Sequence, residues 1–435
     1  MPPIDLNTNK QKTLVVIGGG AAGFFCAVNA ARLATSLRVV IVEKSNKILS
    51  KVRASGGGRC NVTHACFDLA VLSKNYPRGQ HFLKKAFHWF SPANTVEWFE
   101  ERHVPLKTEA DGRMFPLSDN SETIVGCLVK EANKYGVEIL MNRTVEEIVK
   151  EGDSGFSVHF ANAQPLAGDY ICVACGGFSK ATQFDWLVKT GHQIESPAPS
   201  LFTFNIPGND ITSMMGISVP QVTVKILSTK LAESGPLLIT HWGLSGPVIL
   251  KLSAWGAKEL AAFNYHFGIV VNWLHTYNES SLKASWSQLR KQYGSQKIGS
   301  RNPFALPGRL WNYFLHKCAI SPEINWADLS AAQQSRLIKI LTGQEFQVSG
   351  KTTFKEEFVT CGGIKLAEID VNSMQSKIVP GLFFAGEIMD VDGVTGGFNF
   401  QHAWTSGWLA AKSVAESANN LNQTRPADND VIKRR

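Results

Sequence analysis

Two hydrophobic rhythms divide the chain, and each predicts its own elements. Thr13-Leu-Val-Val-Ile17 is apolar without alternation, as a strand buried on both faces requires, and Val39-Val-Ile-Val42 repeats the pattern. Further strands are expected near 137–141, 144–150, 155–161 and 169–174. Ser91-Pro92 reads as an N-cap followed by proline at the first helical position, ahead of Val96-Glu-Trp-Phe99. Gly136 closes a helix that starts at about Glu122. Pro197-Ala-Pro-Ser200 then breaks the strand–helix alternation. Strands around 201–206, 221–228 and 236–239 mark a β-rich insertion with a helical middle from about 276 to 343. From about 354 the first pattern returns, with Gly381-Leu-Phe-Phe-Ala-Gly386 as a buried strand and Asn399 to Val414 as a helix. The fold class is therefore α/β, with a discontinuous Rossmann-like domain (1–196 and 354–416) around an insertion (197–353). The polar stretch 417–435 is expected to be disordered, and no internal repeat is visible.

Composition narrows the class. At 435 residues and 44% hydrophobic, the chain can bury a large core. No apolar run approaches the roughly 18 residues of a membrane span, and the polar N-terminus lacks a signal-peptide core, so the cytoplasm is the expected location. Eight cysteines without framework spacing are expected to be free thiols. Cys172-Val-Ala-Cys175 looks like a redox or metal pair, but it falls in a strand, where residues three apart point to opposite faces, so packing is the better reading. No zinc spacing, P-loop or Ser-His-Asp order stands out, and no metal is expected.

The net charge of +8 is unevenly spread. Between Ser280 and Pro322 seven Lys or Arg (Lys283, Arg290, Lys291, Lys297, Arg301, Arg309, Lys317) meet no acid, and Trp286, Tyr293, Phe304, Trp311, Tyr313 and Phe314 lie among them. Between Lys44 and Val96 nine more basic residues face only Asp68. Basic residues laced with aromatics fit a polyanion such as ribosomal RNA; a solvated helical face over a small aromatic core is the alternative, and for the aromatics alone it is the better reading.

The strongest local motif opens the chain. Gly18 and Gly20 let the backbone turn toward a pyrophosphate, Ala22 and Gly23 allow a helix to pack closely on the strand, and phosphate would sit at that helix's N-terminus. Glu43, at the tip of the second strand, can accept from both hydroxyls of an adenosine ribose, and Lys44 follows it. An ordinary strand-to-helix turn is the alternative, and the motif alone does not choose the dinucleotide.

Further blocks go beyond a generic motif: Lys51-Val-Arg-Ala-Ser-Gly-Gly-Gly-Arg-Cys-Asn61, Gly112-Arg-Met-Phe-Pro116, Thr240-His-Trp-Gly-Leu-Ser-Gly-Pro247, Thr360-Cys-Gly-Gly363 and Gly386-Glu-Ile-Met-Asp-Val-Asp-Gly-Val-Thr-Gly-Gly-Phe-Asn-Phe-Gln401. In these the chain resembles the YhiN/BaiN-type NAD(P)/FAD-dependent oxidoreductase flavoproteins over nearly its whole length. The resemblance implies noncovalent FAD, a Rossmann-like FAD domain, and an inserted β-barrel-like domain carrying a helical subdomain. It also implies NAD(P)H as a transient electron donor. Members are linked to double-bond reduction in steroid-like substrates, to aminoacetone oxidation, or to dihydrouridine formation in ribosomal RNA.

On that reading Gly386, Glu387 and Asp390 would line the FAD, with Asp390 resembling the acid that binds the ribityl chain. Gly396, Gly397, Phe398 and Asn399 would open a helix toward the N1–C2=O edge of the flavin, where negative charge builds on reduction. Lys51, Gly57, Gly58, Arg59, Cys60 and Asn61 would approach the ring from the other side. Cys60 and His241 are the candidate proton donors to a double bond receiving hydride, with buried packing and a structural histidine as the alternatives. Gln401 and His402 are placed either to contact the ring or only to solvate it, and Trp242, Phe398 or Phe400 could stack a nicotinamide, with core packing as the alternative. The preferred function is NAD(P)H-driven reduction of uridine in ribosomal RNA. A small-molecule ene-reductase or amine oxidase is the first alternative, and a non-catalytic flavin-containing RNA-binding protein the second.

Overall fold

The computed structural model describes residues 11–152, 155–352 and 359–423, with side chains to Asn419. The chain divides into two compact units, residues 1–197 with 359–435, and residues 198–358.

The first unit is built on a five-stranded parallel sheet in the order Leu382–Phe384, Tyr170–Val173, Thr13–Ile17, Arg38–Val42, Glu138–Leu140. Every residue of Thr13–Ile17 is buried, as unbroken apolarity predicts for a strand covered on both faces. Helix Ala21–Leu33 follows it and packs along the C-terminal helix Phe398–Gln423. A side chain at Gly407 would stand 2.7 Å from the Ala22 carbonyl, so glycine permits that approach. The last helix runs to Gln423, past the point near 417 where polar composition predicted disorder; residues 424–435 lie outside the described residues. An antiparallel meander (Val145–Lys150, Phe156–Phe160, Ala163–Gly168), a small sheet (Thr63–His64, Arg113–Pro116, Leu106–Thr108) and a two-stranded pairing of Ile194–Pro199 with Thr360–Ile364 are the other sheets here. Among the described residues no helix is long and apolar enough to cross a membrane, and no cluster of His, Cys, Asp and Glu could hold a metal ion.

The second unit is a seven-stranded antiparallel sheet, with Gln344–Ser349 at one edge and Lys351–Thr352 at the other. Those edges are consecutive in the chain. Gly350, at φ +97°, joins them: its N–H donates to Tyr265 O and its carbonyl accepts from Asn205 N–H. The sheet therefore curls round on itself into a barrel-like form. Helices Glu279–Tyr293, Gly308–Lys317 and Ala331–Gly343 surround a tryptophan cluster, Trp286, Trp311 and Trp326, each no more than 1% exposed.

That cluster favours, for residues 280–322, the reading of a helical face over a small aromatic core. Trp286, Trp311, Tyr313 and Phe314 are core and cannot stack on bases. Several of the basic residues are committed too. Arg290 donates to the carbonyls of Trp326, Ala327 and Leu329, Arg309 to that of Ser213, and Arg301 covers the Tyr293 ring. Lys317 pairs with Asp210, and Lys297 with Glu323. The acids that the segment lacks are supplied from outside it.

Candidate active site

The groove starts where strand Thr13–Ile17 ends. Gly18 takes φ +116° and donates to Val42 O at 2.8 Å, and a Cβ there would meet Ala174 O at 2.5 Å. A Cβ on Gly23 would lie 1.9 Å from Gly18 O, so helix Ala21–Leu33 can sit this close only with glycine there. Gly20 differs, with nothing within 4 Å of a would-be side chain. The helix begins at Gly20 with no side-chain cap and no acid in its first turn, so its positive end faces that open space. Such an end accepts a diphosphate. The Glu43 carboxylate accepts from Gly19 N–H and Ser45 N–H, both at 2.9 Å, and from the Ser45 hydroxyl. It fastens the second strand to the glycine turn while its remaining lone pairs can still meet a ribose. Lys44 lies 6.0 Å from the Phe178 ring centroid.

The second wall is Ser50–Gly58, a helix kinked where Gly56 and Gly57 turn to positive φ. Gly57 and Gly58 border open space, whereas a Cβ on Gly56 would press on Phe115. Asn61, with its amide turned as its neighbours require, accepts from Gly397 N–H at 2.9 Å and donates to Thr63 O at 3.1 Å. Gly397, at φ +94°, would put a Cβ 2.5 Å from Thr63 O. Lys51 pairs with Glu387 at 2.6 Å, and a Cβ on Gly386 would lie 2.8 Å from that of Ala22. Three stretches far apart in sequence, near residues 20, 55 and 390, are thus joined in one groove.

Many residues expected to meet the cofactor are occupied in building the groove. The Arg59 guanidinium pairs with Glu109 at 2.6 Å and lies 4.0 Å from the Phe115 ring centroid. Glu387 also accepts from Thr360 N–H at 2.9 Å, and Asp390 from Gly362 N–H at 3.1 Å. Asn399 staples its own loop, accepting from Gly393 N–H at 2.8 Å and donating to Gly393 O at 2.9 Å. The Gly397 N–H, expected at the flavin edge, is taken by Asn61. Phe398 is buried and stacks on His64 at 4.8 Å, and Phe400 stacks on Trp404. Phe398 is therefore core, whereas Phe400 is half-buried with one face on Trp404.

The candidate donors fare differently. Cys60 is fully buried at φ +62°, and burial pushes its thiol up to about 12, so it stays protonated but cannot reach a substrate without movement. His241 belongs to the second unit, exposed at a hairpin tip with its ring 4.3 Å from that of Trp242. Gln401 and His402 are buried. Gln401 accepts from the hydroxyls of Thr63 and Thr95, and His402 Nε2 meets Gly386 O at 3.1 Å. All eight cysteines are free. Cys172 is buried in its strand, and Cys175 lies just past the strand's end at Val173 with its thiol also pushed up to about 12 by burial.

Three features escaped the sequence reading. His64, three residues beyond Asn61, lies against Phe398 and near where a Gly396 side chain would project. Residues Ala174–Gly177 form the wall facing Gly18 and Glu387. Tyr76 donates to Phe398 O at 2.7 Å and Arg78 pairs with the fully buried Asp392, bracing the 390–398 loop. His64 falls just outside the Lys51–Asn61 block, and its closeness to Asn61 in the chain was the available signal.

The model of the family described as HI0933-like protein Rossmann domain matches residues 12–413. The chain is 29% identical to the ribosomal RNA dihydrouridine synthase of Escherichia coli (strain K12) over 411 residues, 92% of this chain and 97% of the relative. It is 27% identical to the 3-dehydro-bile acid delta(4,6)-reductase of Clostridium scindens over 418 residues, 92% and 98% respectively. Among solved structures, the 3-ketosteroid-delta4-(5alpha)-dehydrogenase of Rhodococcus jostii RHA1 shares the fold at a TM-score of 0.50 and 13% identity, covering 94% of this chain and 98% of that one.

Proposed function

The chain belongs to the HI0933-like Rossmann family and is an FAD-dependent oxidoreductase, and we propose that it draws electrons from NAD(P)H to reduce a carbon–carbon double bond, that of uridine in ribosomal RNA. What carries the substrate choice is the similarity, along 92% of this chain, to the dihydrouridine synthase. FAD supplies hydride transfer between a reduced nicotinamide and a substrate carbon. The residues of the groove fit it. The uncapped end of Ala21–Leu33 would take the diphosphate, Glu43 a ribose, Asp390 the ribityl chain, and the open faces of Gly57 and Gly58 the ring.

What the chain adds is position. Asn61 and Gly397 hold the two ring-side loops at a fixed separation, Lys51 and Glu387 lock the ends of those blocks, and Tyr76 and Arg78 brace the loop from behind. A proton must reach the substrate carbon that does not receive hydride. Cys60 and His241 remain the proposed donors, Cys60 only if the loop opens enough to expose its thiol.

Deleting the gene should remove one dihydrouridine from ribosomal RNA, read by mass spectrometry of nuclease fragments, and a plasmid copy should restore it. An unchanged modification pattern turns the reading to a small-molecule ene-reductase, which the similarity to the bile acid reductase favours.

A further inference from the structure

Outside the FAD groove, the first unit holds a second cleft of about 610 Å³ whose chemistry the cofactor does not use. One side is the short helix Gln80–Ala86 with Gly79 before it; the other is the segment from Leu366 to Val371, with Lys377. Its floor is apolar, with partly buried Phe82 and Leu366 and buried Ile369. Its rim is cationic. Lys85 and Lys377 supply the charge and are exposed there, as is His81. Lys377 spends one N–H on Ala367 O at 2.9 Å and keeps two for a ligand. The one acid, Asp370, is engaged in its own turn, accepting from Asn372 N–H at 2.8 Å.

The cleft is adjacent to the loop that carries Asp390. A Cβ on Gly79 would lie 2.6 Å from Val391, and Arg78, one residue earlier, is the partner of Asp392. Beyond the rim Lys74, Lys84 and His88 are exposed as well, with Asp68 near the two lysines. An apolar floor that can take an aromatic ring, cations on both sides and continued positive charge outside together match a nucleotide within a longer polyanion.

We infer that this cleft seats a nucleotide of the RNA strand neighbouring the target uridine, its base on the Phe82 side and its phosphates between Lys85 and Lys377. The inference rests on the ribosomal RNA reading above. It also puts the RNA contact at residues 74–88 and 377 rather than in the insertion, where Trp286, Trp311, Tyr313 and Phe314 are core.

The test is a salt titration of binding between the flavin-loaded protein and a single-stranded ribosomal RNA fragment. It compares wild type, Lys85→Gln/Lys377→Gln, and Lys84→Gln, which alters the same helix outside the cleft. Each single-strand phosphate contact contributes about 0.7 to the slope of log affinity against log salt, so the double variant should flatten it by about 1.4 and bind roughly 25-fold more weakly at 0.1 M salt. Lys84→Gln should do clearly less. If wild type binds RNA with a steep slope but the double variant matches it, or Lys84→Gln weakens binding as much, the cleft is not the subsite while the function stands. If the double variant instead slows flavin reduction by NAD(P)H and keeps its RNA affinity, the occupant is the nicotinamide nucleotide and the inference is overturned. Wild-type protein that ignores RNA at every salt concentration removes the ribosomal RNA reading and this inference with it.

Discussion

Gly20 and Gly397 both border the groove proposed for FAD, yet a methyl group at each would meet different surroundings. At Gly20 it would enter open space at an ordinary negative φ of −92°, at the helix end where the diphosphate is expected. Gly20→Ala should therefore leave the cofactor-free protein within about 1 kcal/mol of wild type and weaken FAD binding at least about tenfold. At Gly397 the methyl would collide with Thr63 O and impose a left-handed backbone on alanine, costing about 1–2 kcal/mol before any displacement of Asn61. Gly397→Ala should lower both the thermal midpoint and the flavin-to-protein absorbance ratio. Equal flavin affinity in wild type and Gly20→Ala would place the diphosphate elsewhere. The sequence made these positions visible because glycine at fixed spacing has few other uses. It could not show that Arg59 is spent on Glu109, 50 residues away, because nothing local to Arg59 announces its partner.

Among the elements, the helix that begins at Phe398 shows best how sequence candidates become structure. Gln401, a possible ring contact by position, is fully buried. Its Oε1 accepts from Thr63 at 2.6 Å and Thr95 at 2.9 Å, and its Nε2 donates to Thr405 at 3.1 Å. One amide thus ties this helix to strand Thr63–His64 and helix Pro92–Glu100. Gln401→Ala would strand buried hydroxyls and open a cavity, so a loss of about 2–4 kcal/mol is expected in urea unfolding. A loss under about 0.5 kcal/mol would mean the network is dispensable. Elements with strong local signals were readable in advance. Ser91 and Pro92 do open a helix, and Gly136, at φ +68°, does follow Ser121–Lys134. Strand Thr360–Ile364 was read only as a glycine-dense block, because glycine is poor in strands. Here tertiary contact demands it: a Cβ on Gly362 would meet Ser196 O at 2.5 Å and one on Gly363 would meet Ile388 O at 2.3 Å. The insertion's tryptophans stood between two readings for a related reason, since composition cannot tell a core aromatic from a platform, and burial decides for core.

For the molecule as a whole, the parallel sheet takes its edge strand Leu382–Phe384 from near the far end of the chain, and unbroken apolarity at both ends was enough to anticipate a discontinuous α/β fold. The same closure buries histidines. His402 lies in the last helix at 2% exposure, with Nε2 on Gly386 O and, among the described residues, no partner for Nδ1. Burial lowers its pKa to about 4, against a slight upward pull from the Gly386 carbonyl and Glu387. His192, held by Thr190 and Ser376, is lowered by burial as well. Protonating His402 in the fold would add a second buried N–H with no acceptor, whereas the unfolded chain takes the proton near the ordinary value of about 6.5. Between those two values the unfolded state binds more protons, so stability is complete above about pH 6.5 and is lost as pH falls toward 4. The shift corresponds to a contribution on the order of 3 kcal/mol from His402 alone. His402→Gln keeps a polar group beside Gly386 and cannot titrate. Its unfolding free energy should therefore fall less steeply than wild type's between pH 6.5 and 4.5, with the His192 share of the slope remaining. Parallel curves for the two proteins would show that His402 accepts its proton in the native state without penalty, and the buried neutral ring would have to be abandoned as a source of acid sensitivity.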